Sequence, residues 1–335
     1  MKKHHKIVHA MGRKIRIQGN TRVRGRRYDI VETLTSNAAR PRLLLLDRNA
    51  GSDAYRVLLT LPRNSNAANL IAVLRELPKF GDLPRIIDVE LSRDRVRLVL
   101  DYVSGRPLSD YLSAIKCGRV VRPSPYEVAR LVHQLAGSLW NLHERANLVH
   151  GDIKPANLII TRKATRICLI DFGNAFRIEQ MASRPAGDGV TPGYAPPELQ
   201  EKRIRADGRI DQFSASVLFY ELLTLRLPYD GLGGLAGSTA NFAAFRNFEH
   251  SLASGHEAYD LLPSSLRDKL TQVVARGLQL NIEDRFPDTH QWRTALGELR
   301  NSLDSQRNSW KQLNHLRPSV WSIFARFLLR QRQSP

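Results

Sequence analysis

The sequence predicts an α+β fold with two lobes, a small antiparallel-sheet N-lobe followed by a larger helical C-lobe. Short apolar runs separated by polar turns fill residues 28–61, which is typical of antiparallel strands. A long amphipathic helical pattern runs from Tyr126 to His143, and the pattern beyond Asp211 is mainly helical. Strands that come first and helices that come later favour a sheet lobe joined to a helical lobe.

The first 27 residues form a strongly basic segment. Ten lysines and arginines precede the first acidic residue, Asp29, and the whole chain carries a formal net charge of +19. A segment that repels itself and has little apolar content is predicted to be disordered, here as a solvated tail over residues 1–27. The alternative is an anchor for an anionic surface, either nucleic acid or lipid headgroups.

The N-lobe elements are predicted from apolar runs bounded by turn residues. The expected strands are Ile30-Val31, Leu43–Leu46, Val57–Leu61 and Val96–Leu100, and the expected helix is Ala67–Leu77. Asn49–Ser52 is predicted to be a turn, and Pro78 is predicted to end the helix. The result is a small antiparallel sheet with one helix inserted in it.

The most informative segment is Leu148–Ile160, which reads LVHGDIKPANLII. It is a polar loop between a helix and an apolar strand, and it contains Asp152, Lys154 and Asn157. An Asp-Phe-Gly step beginning at Asp171 follows eleven residues after this segment. Phosphoryl transfer needs a carboxylate to orient the attacking hydroxyl, cation-binding oxygens and positive charge on the γ-phosphate. These four side chains supply such groups, since Mg²⁺ prefers oxygen ligands and keeps several waters.

This segment resembles the catalytic loop of eukaryotic-type serine/threonine protein kinases, with His-Gly-Asp in place of the usual His-Arg-Asp. The Asp-Phe-Gly step resembles the metal-binding motif of the same family. Further segments resemble the hinge, the end of the activation segment, the helix that anchors the catalytic loop, the Pro-Tyr pair after it and the late arginine motif. They are Leu98–Gly105, Thr191–Glu198, Asp211–Thr224, Pro228-Tyr229 and Glu283–Phe286. Several short motifs in family order are much more specific than any one of them.

The resemblance implies a two-lobed protein kinase fold over residues 28–300. The N-lobe would span residues 28–100, the hinge 101–105 and the C-lobe 106–300, and residues 301–335 would form a tail.

Three scaffold roles follow from the same resemblance. Arg285 would pair with Glu198, and Asp211 would hold the backbone of the catalytic loop. His150, Phe172 and Leu74 would stack as a hydrophobic column.

ATP and Mg²⁺ are the cofactors that the resemblance implies. The adenine would meet the backbone of Asp101 and Val103 beneath Leu100, with Ile159 as the floor. Leu34 would complete the set of nucleotide-binding residues in the N-lobe.

The resemblance also assigns roles in the reaction. Asp152 would orient the substrate hydroxyl, Lys154 would contact the γ-phosphate, and Asn157 and Asp171 would hold Mg²⁺. Lys154, two residues after the expected base, and Thr191 match the pattern of kinases that act on serine and threonine in proteins. Gly151 replaces the arginine that the family has before the catalytic aspartate. This chain therefore has no arginine at that position to bind a phosphorylated activation loop.

The N-lobe departs from the family pattern. The stretch Leu34–Arg42 corresponds to the glycine-rich loop but contains no glycine, which is the residue that lets backbone approach phosphates closely. The family lysine falls near Leu59 and its glutamate partner near Leu70. Both charges are therefore lost together, which leaves an apolar pair instead of one stranded charge.

Three functions remain open from the sequence. The first is a divergent protein kinase in which Arg40, Arg42 or Arg56 replaces the missing lysine. The second is a pseudokinase that acts as a binding or scaffolding module. The third, a small-molecule phosphotransferase, also uses a His-Gly-Asp loop. The complete set of catalytic-loop and metal-site residues favours the first.

Composition and the C-terminal tail bear on location. Two cysteines, Cys117 and Cys168, cannot make a disulfide framework, which favours a reducing compartment such as the cytoplasm. No apolar stretch approaches the length of a membrane span. Val320–Arg332 reads as a basic amphipathic helix. It would lie on an anionic membrane as a peripheral anchor, bind a partner groove or dock on the C-lobe itself.

Overall fold

The structure is a computed structural model that describes residues 6–10, 13–34, 41–51, 54–77, 83–161, 166–177, 191–200, 207–237 and 262–305. The chain forms two compact units, Met1–Val103 and Ser104–Pro335. The predicted amphipathic helix Val320–Arg332 lies outside the described residues. None of the helices within the described ranges has the length and apolar character needed to span a bilayer.

The first unit contains eight antiparallel strands and one helix among its described residues. The strands are β1 (Lys6–Ala10), β2 (Arg13–Ile17), β3 (Gly19–Val23), β4 (Arg26–Thr33), β5 (Arg42–Leu46), β6 (Tyr55–Pro62), β7 (Ile86–Leu91) and β8 (Arg95–Asp101). β1 and β2 form a hairpin, and the other six strands form one sheet in the order β3-β4-β5-β6-β8-β7.

The six-stranded sheet curls until its two edge strands, β3 and β7, lie side by side. The backbone N–H of Arg24 donates to Glu90 Oε1 at 2.9 Å, and Arg97 Nη1 donates to the Arg22 carbonyl at 2.5 Å. The inner face of the curl is an apolar cluster that consists of Val23, Tyr28, Leu45, Leu58 and Val99. These hydrogen bonds between side chains and backbone connect the end of β3 and the turn after it with β7 and β8.

The predicted disorder of residues 1–27 is wrong for the described part of this segment, which forms β1, β2 and β3. In the hairpin, Val8, Ile15 and Ile17 are buried against Leu46 and Ala54. The high count of basic residues hid an alternation in which basic and apolar side chains point to opposite faces of a strand. The charges remain in water, and the apolar residues pack against the sheet.

The helix of the first unit, α1, is Ser65–Glu76, close to the predicted range. The Asn64 side chain accepts a hydrogen bond from the Ala67 N–H at 3.0 Å, which caps one of the free donors at the helix start. Its buried residues, which recur at helical spacing, are Ala67, Leu70, Val73 and Leu74.

The second unit is mainly helical within the described ranges. Its α-helices are α2 (Leu108–Lys116), α3 (Pro125–Ala146), α4 (Pro197–Gln200), α5 (Arg209–Thr224), α6 (Ser264–Gly277) and α7 (Thr289–Ser305). Its strands are β9 (Gly105–Pro107), β10 (Leu148–Val149), β11 (Leu158–Thr161), β12 (Ile167–Leu169) and β13 (Phe176–Arg177). Two small sheets, β12-β11-β9 and β10-β13, lie beside the helices.

Helices α3 and α5 position the loop that carries the candidate catalytic residues. A capping box between Ser124 and Glu127 starts α3, and Asn147, with a left-handed φ of 52°, ends it directly before β10. α5 is buried from Ile210 to Leu223, so it is the central helix of this unit and not an amphipathic surface helix.

Candidate active site

The polar loop between β10 and β11 contains the predicted catalytic residues. It leaves β10 at His150, turns at Gly151 with a φ of 73°, and closes with the 3₁₀ turn Pro155–Asn157 before β11. Glycine adopts this left-handed conformation without the steric penalty that a side chain brings. Asp152 and Asn157 are both buried.

The carboxylate of Asp152 is held by neighbours on both oxygens. Asn157 Nδ2 donates to the Asp152 carbonyl and to its Oδ2, each at 2.9 Å. Lys154 Nζ lies 2.7 Å from the same Oδ2, and the Thr191 hydroxyl donates to Oδ1 at 2.8 Å. Asn174 Nδ2 adds a longer contact to Oδ2 at 3.4 Å. A buried carboxylate with this many donors has a fixed orientation.

Thr191 links the end of the activation segment to the catalytic loop. Its Oγ1 accepts from Lys154 Nζ at 2.6 Å while donating to Asp152, so the three side chains form one short chain of hydrogen bonds. Thr191, which matches the pattern of serine/threonine kinases, is therefore in direct contact with Asp152.

Asp171 lies between β12 and a 3₁₀ turn, and its backbone is left-handed at φ 65° and ψ 70°. A non-glycine residue in this region is held against about 1–3 kcal/mol of strain, which is common at functional sites. The Ile170 N–H donates to the Asn157 carbonyl at 2.9 Å, and the rings of Phe172 and His150 lie 4.9 Å apart. The loop of Asp171 is therefore adjacent to the loop of Asn157.

The oxygen donors near the catalytic loop suit Mg²⁺, which needs few protein ligands, better than a metal ion that is ligated by side chains alone. Across the described ranges, no three His, Cys, Asp or Glu side chains are grouped so that they could hold a metal ion. Asn157 and Asp171 could instead offer one amide and one carboxylate oxygen. Mg²⁺ commonly takes only one or two protein oxygens and completes its shell with waters and nucleotide phosphates.

Asp211 at the start of α5 anchors the catalytic loop, as predicted. Its Oδ2 accepts from the His150 N–H at 2.8 Å, and its Oδ1 accepts from the Gly151 N–H at 2.9 Å. His143 Nε2 lies 2.9 Å from Oδ2. Burial alone would raise the pKa of Asp211, but the hydrogen bond and charge of His143 and the N–H of His150 lower it below its ordinary value.

A buried ion pair joins the end of the activation segment to the late arginine motif. Arg285 Nη1 and Nη2 donate to the two carboxylate oxygens of Glu198 at 2.6 and 2.9 Å, and Arg285 is 1% exposed. The predicted pairing is thus confirmed. The remaining arginine donors reach the carbonyls of Gln279, Leu280 and Arg209, so the buried guanidinium is fully hydrogen-bonded.

Several residues around this segment were not predicted from the sequence. The Tyr194 hydroxyl donates to Glu221 Oε2 at 2.5 Å, and Lys116 Nζ donates to Glu221 Oε1 at 3.0 Å. Burial and the Glu221 carboxylate raise the pKa of Tyr194 well above its ordinary value. Lys116 and Glu221 are 105 residues apart in sequence, so no local pattern indicates the pair. For Asn174, its place directly after Asp-Phe-Gly was the available signal.

The remaining predicted nucleotide-binding residues are divided between the two units. In the first unit, Leu100 is buried near the end of β8, Asp101 is the last residue of that strand, and Val103 is the last residue of the unit. Leu34 directly follows β4, where its N–H donates to the Arg42 carbonyl at 2.7 Å. In the second unit, Ile159 is buried in β11. Their contacts with a nucleotide stay predictions.

Arg56 is not a replacement for the missing lysine. It is buried on β6, where Nη1 donates to the Tyr55 carbonyl at 2.8 Å and lies 3.4 Å from Asp101 Oδ1. Side chains alternate along a strand, so Arg56 and Leu59, three positions apart, point to opposite faces. Leu58 lies in the apolar cluster inside the curl, so Arg56 is on that inner side and Leu59 is on the outer side. Arg40 lies outside the described residues.

The family model of the protein kinase domain matches residues 62–294. The chain belongs to this family, and its two units are a curled antiparallel sheet and a helical unit, the two parts of a protein kinase fold. The match begins at Pro62, the last residue of β6. Strands β1–β5, and the segment without glycines that precedes β5, therefore lie outside the matched range.

Three relatives among curated proteins are named as serine/threonine-protein kinases. The chain is 36% identical over 156 residues to pkn2 of Myxococcus xanthus, covering 44% of this chain and 18% of that protein. It is 30% identical over 217 residues to Pkn1 of the same organism, covering 63% and 28%. It is 27% identical over 226 residues to ULK1 of Homo sapiens, covering 64% and 19%. The chain thus spans less than a third of the length of each.

Proposed function

We propose that this protein is a serine/threonine protein kinase that transfers the γ-phosphate of Mg-ATP to a hydroxyl of a protein substrate. The observation that carries the proposal is the buried Asp152 carboxylate, oriented by Asn157, Lys154 and Thr191. A group of this kind serves a reaction that needs positioning of a hydroxyl more than covalent chemistry. The names of the relatives support the same activity.

Each residue of the loop has a role in the proposed reaction. Asp152 accepts a hydrogen bond from the substrate hydroxyl and aims its oxygen at the γ-phosphorus. Lys154 places positive charge where the transferred phosphoryl group develops negative charge. Asn157 and Asp171 would hold Mg²⁺, which neutralises the phosphate oxygens when bound.

The nucleotide-binding residues of this proposal are those that the family pattern assigns. Asp101 and Val103 would bind the adenine edge through their backbone, beneath Leu100. Ile159 and Leu34 would contact the apolar faces of the nucleotide. These assignments extend the family pattern to this chain.

A pseudokinase is the second candidate, and a specific observation favours it. Leu59 and Leu70 replace the family lysine and glutamate, so the cation that contacts the phosphates and its carboxylate partner are both missing. Removing that charge takes away a few kcal/mol of transition-state stabilisation, about 2.7–4 for one well-placed donor. Slow turnover is therefore expected, and Mg-ATP binding separates the two candidates.

The basic surface of the first unit supports an additional role. Its hairpin and first sheet strands expose basic side chains at Lys14, Arg16, Arg22, Arg24 and Arg27. Such a surface attracts an anionic partner, either nucleic acid or lipid headgroups. We propose a cytoplasmic location, because two cysteines cannot make a disulfide framework and so favour a reducing compartment. Peripheral membrane binding by the segment Val320–Arg332 remains a prediction from sequence alone.

Phosphate transfer to a generic basic protein tests the proposed activity. Wild-type protein is expected to transfer label from γ-labelled ATP in the presence of Mg²⁺, and Asp171→Ala is expected to abolish transfer. Asp268→Asn, an exposed carboxylate on α6, is the matched control and should keep wild-type transfer. Equal transfer by wild type and Asp171→Ala would overturn the proposal, as would no shift in melting temperature at millimolar Mg-ATP.

A further inference from the structure

The register of β5 against β6 shows which residue lies beside Leu59, the position at which the family has its lysine. In this antiparallel pair, Arg42 is directly opposite Leu59, Leu44 is opposite Val57, and Leu46 is opposite Tyr55. Directly opposite residues project from the same face of a sheet, with Cβ atoms about 4.5–5.5 Å apart. The side chain of Arg42 therefore starts next to that of Leu59.

The same row continues onto the next strand. Leu59 is opposite Leu98 of β8, and Val57 is opposite Leu100. Arg42, Leu59 and Leu98 thus form one row across three strands, and Leu100 lies one row away on the same face. This outer face holds the residue near which the family lysine would stand and also the residue predicted to lie above the adenine.

The inner face of the curl is apolar around Leu45 and Leu58. Leu45 and Leu58, which alternate with Arg42 and Leu59, are buried in the apolar cluster with Val99 and Tyr28. On β5, Arg42 and Leu45 are three positions apart, so their side chains point to opposite faces, and Arg42 points outward, where it is half-buried. Its backbone is fixed by the hydrogen bond that its carbonyl accepts from the Leu34 N–H at 2.7 Å.

We propose that Arg42 provides the positive charge on the nucleotide phosphates that the strand lysine provides in most of the family. This inference rests on the proposed kinase function and identifies a further phosphate-binding residue for it. The charge has moved by one strand, from β6 to β5, while staying on the same face. A guanidinium suits this task because it can donate two parallel hydrogen bonds to phosphate oxygens.

The relocation accounts for two other departures in the first unit. The segment after Leu34 lacks the glycines that bring backbone N–H groups close to phosphates, so a side-chain donor at its far end takes on part of that contact. Leu70 needs no carboxylate, because no lysine at position 59 requires a partner. An apolar Leu59 and Leu70 then avoid leaving one buried charge unpaired.

Nucleotide binding by the full-length chain tests the proposal, with adenosine and Mg-ATP compared by calorimetry. Arg42→Ala is expected to weaken Mg-ATP binding at least tenfold while leaving adenosine affinity unchanged, because adenosine has no phosphates. Arg42→Lys should keep a good part of the affinity. Arg93→Ala removes an exposed arginine from the turn between β7 and β8 and should change neither ligand's affinity.

A second variant returns the charge to the family position. Arg42→Ala combined with Leu59→Lys is expected to recover Mg-ATP affinity relative to Arg42→Ala alone, and melting curves would establish that each variant is folded. If wild type binds Mg-ATP and Arg42→Ala binds it equally well, the role of Arg42 is overturned while the proposed function stands. If wild type binds no Mg-ATP, both are overturned.

Discussion

His143 Nε2 lies 2.9 Å from Asp211 Oδ2, and both side chains are buried in the second unit. The same carboxylate holds the backbone of the catalytic loop through the N–H groups of His150 and Gly151. His143 Nδ1 is in turn 2.7 Å from the Thr289 hydroxyl. One buried acid therefore connects α3, α5, α7 and the loop on which the proposed chemistry depends.

This arrangement makes stability sensitive to acid. The pKa of Asp211 is lower in the folded state than its ordinary value near 3.8, so the charged carboxylate stabilises the fold. That contribution is complete above the unfolded-state pKa of about 4 and is lost as pH falls through the lower folded-state pKa. The free energy of unfolding, measured with urea, should therefore fall as pH drops below about 4.

Removing the Asp211 carboxylate should have the same effect at neutral pH. Asp211→Ala is expected to cost about 3–5 kcal/mol, because buried donors lose their partner. Asp268→Asn on the surface of α6 should change stability by less than about 0.5 kcal/mol. A wild-type pH profile that Asp211→Ala retains in full would contradict this account.

Thr191 should influence turnover through its hydroxyl. Thr191→Val keeps the shape of the side chain but removes two hydrogen bonds. One is donated to the charged acceptor Asp152, and the other is accepted from the charged donor Lys154. A hydrogen bond to a charged group contributes about 1.5–3 kcal/mol, which corresponds to a loss in kcat of about tenfold or more. Steady-state phosphorylation of a peptide substrate would measure it. Thr191→Ser keeps the hydroxyl and serves as the control, and equal rates for the two variants would rule out this role.

The ion pair between Arg285 and Glu198 should behave as a buried pair. Glu198→Gln alone is expected to destabilise the fold by about 3–5 kcal/mol, because it leaves a buried guanidinium without its counter-charge. Arg285→Met with Glu198→Leu should cost less than the sum of the two single changes.

An exposed pair in the same region provides the comparison. Arg209 Nη1 lies 3.1 Å from Glu283 Oε2, but the Glu283 side chain is 63% exposed. Glu283→Gln should therefore cost less than about 1 kcal/mol in urea unfolding. If Glu198→Gln proved as mild as Glu283→Gln, the buried pair would not be the contact that holds the activation segment.

The basic N-terminal hairpin should contribute to the stability of the first unit. Ile17 is 5% exposed and packs in the cluster with Val8, Ile15 and Leu46. Ile17→Ala is expected to cost about 2–5 kcal/mol in thermal or urea unfolding. Ile7, on the other face of the hairpin, is 61% exposed, and Ile7→Ala should change stability by less than about 0.5 kcal/mol. A disordered N-terminal segment would instead make both changes neutral.

The main features of the second unit were predictable because they depend on local patterns. The apolar spacing of α3 and the capping residues Ser124 and Glu127 are local signals for a helix. The catalytic loop requires particular side chains at short spacings, so Asp152, Lys154 and Asn157 identify it within one stretch of chain. The pairing of Arg285 with Glu198 came from family resemblance, since 87 residues separate them.

The first 27 residues show where a sequence property misled. Their charge count predicted a disordered tail, and yet an alternation of basic and apolar residues along Lys14–Ile17 places Ile15 and Ile17 in a core. A net charge averages over both faces of a strand, whereas folding depends on which face each side chain occupies.

The sequence by itself determined the family and the order of its motifs along the second unit, and it predicted the candidate phosphoryl-transfer residues, because each of these depends on residue types at short spacings. Only the tertiary structure decided which arginine lies beside Leu59. Arg56 is on the same strand as Leu59 but faces the apolar interior. Arg42, seventeen residues before Leu59 in the chain, is the direct cross-strand neighbour of Leu59. Strand register is set by pairing between distant segments, and that pairing is not written in either segment alone.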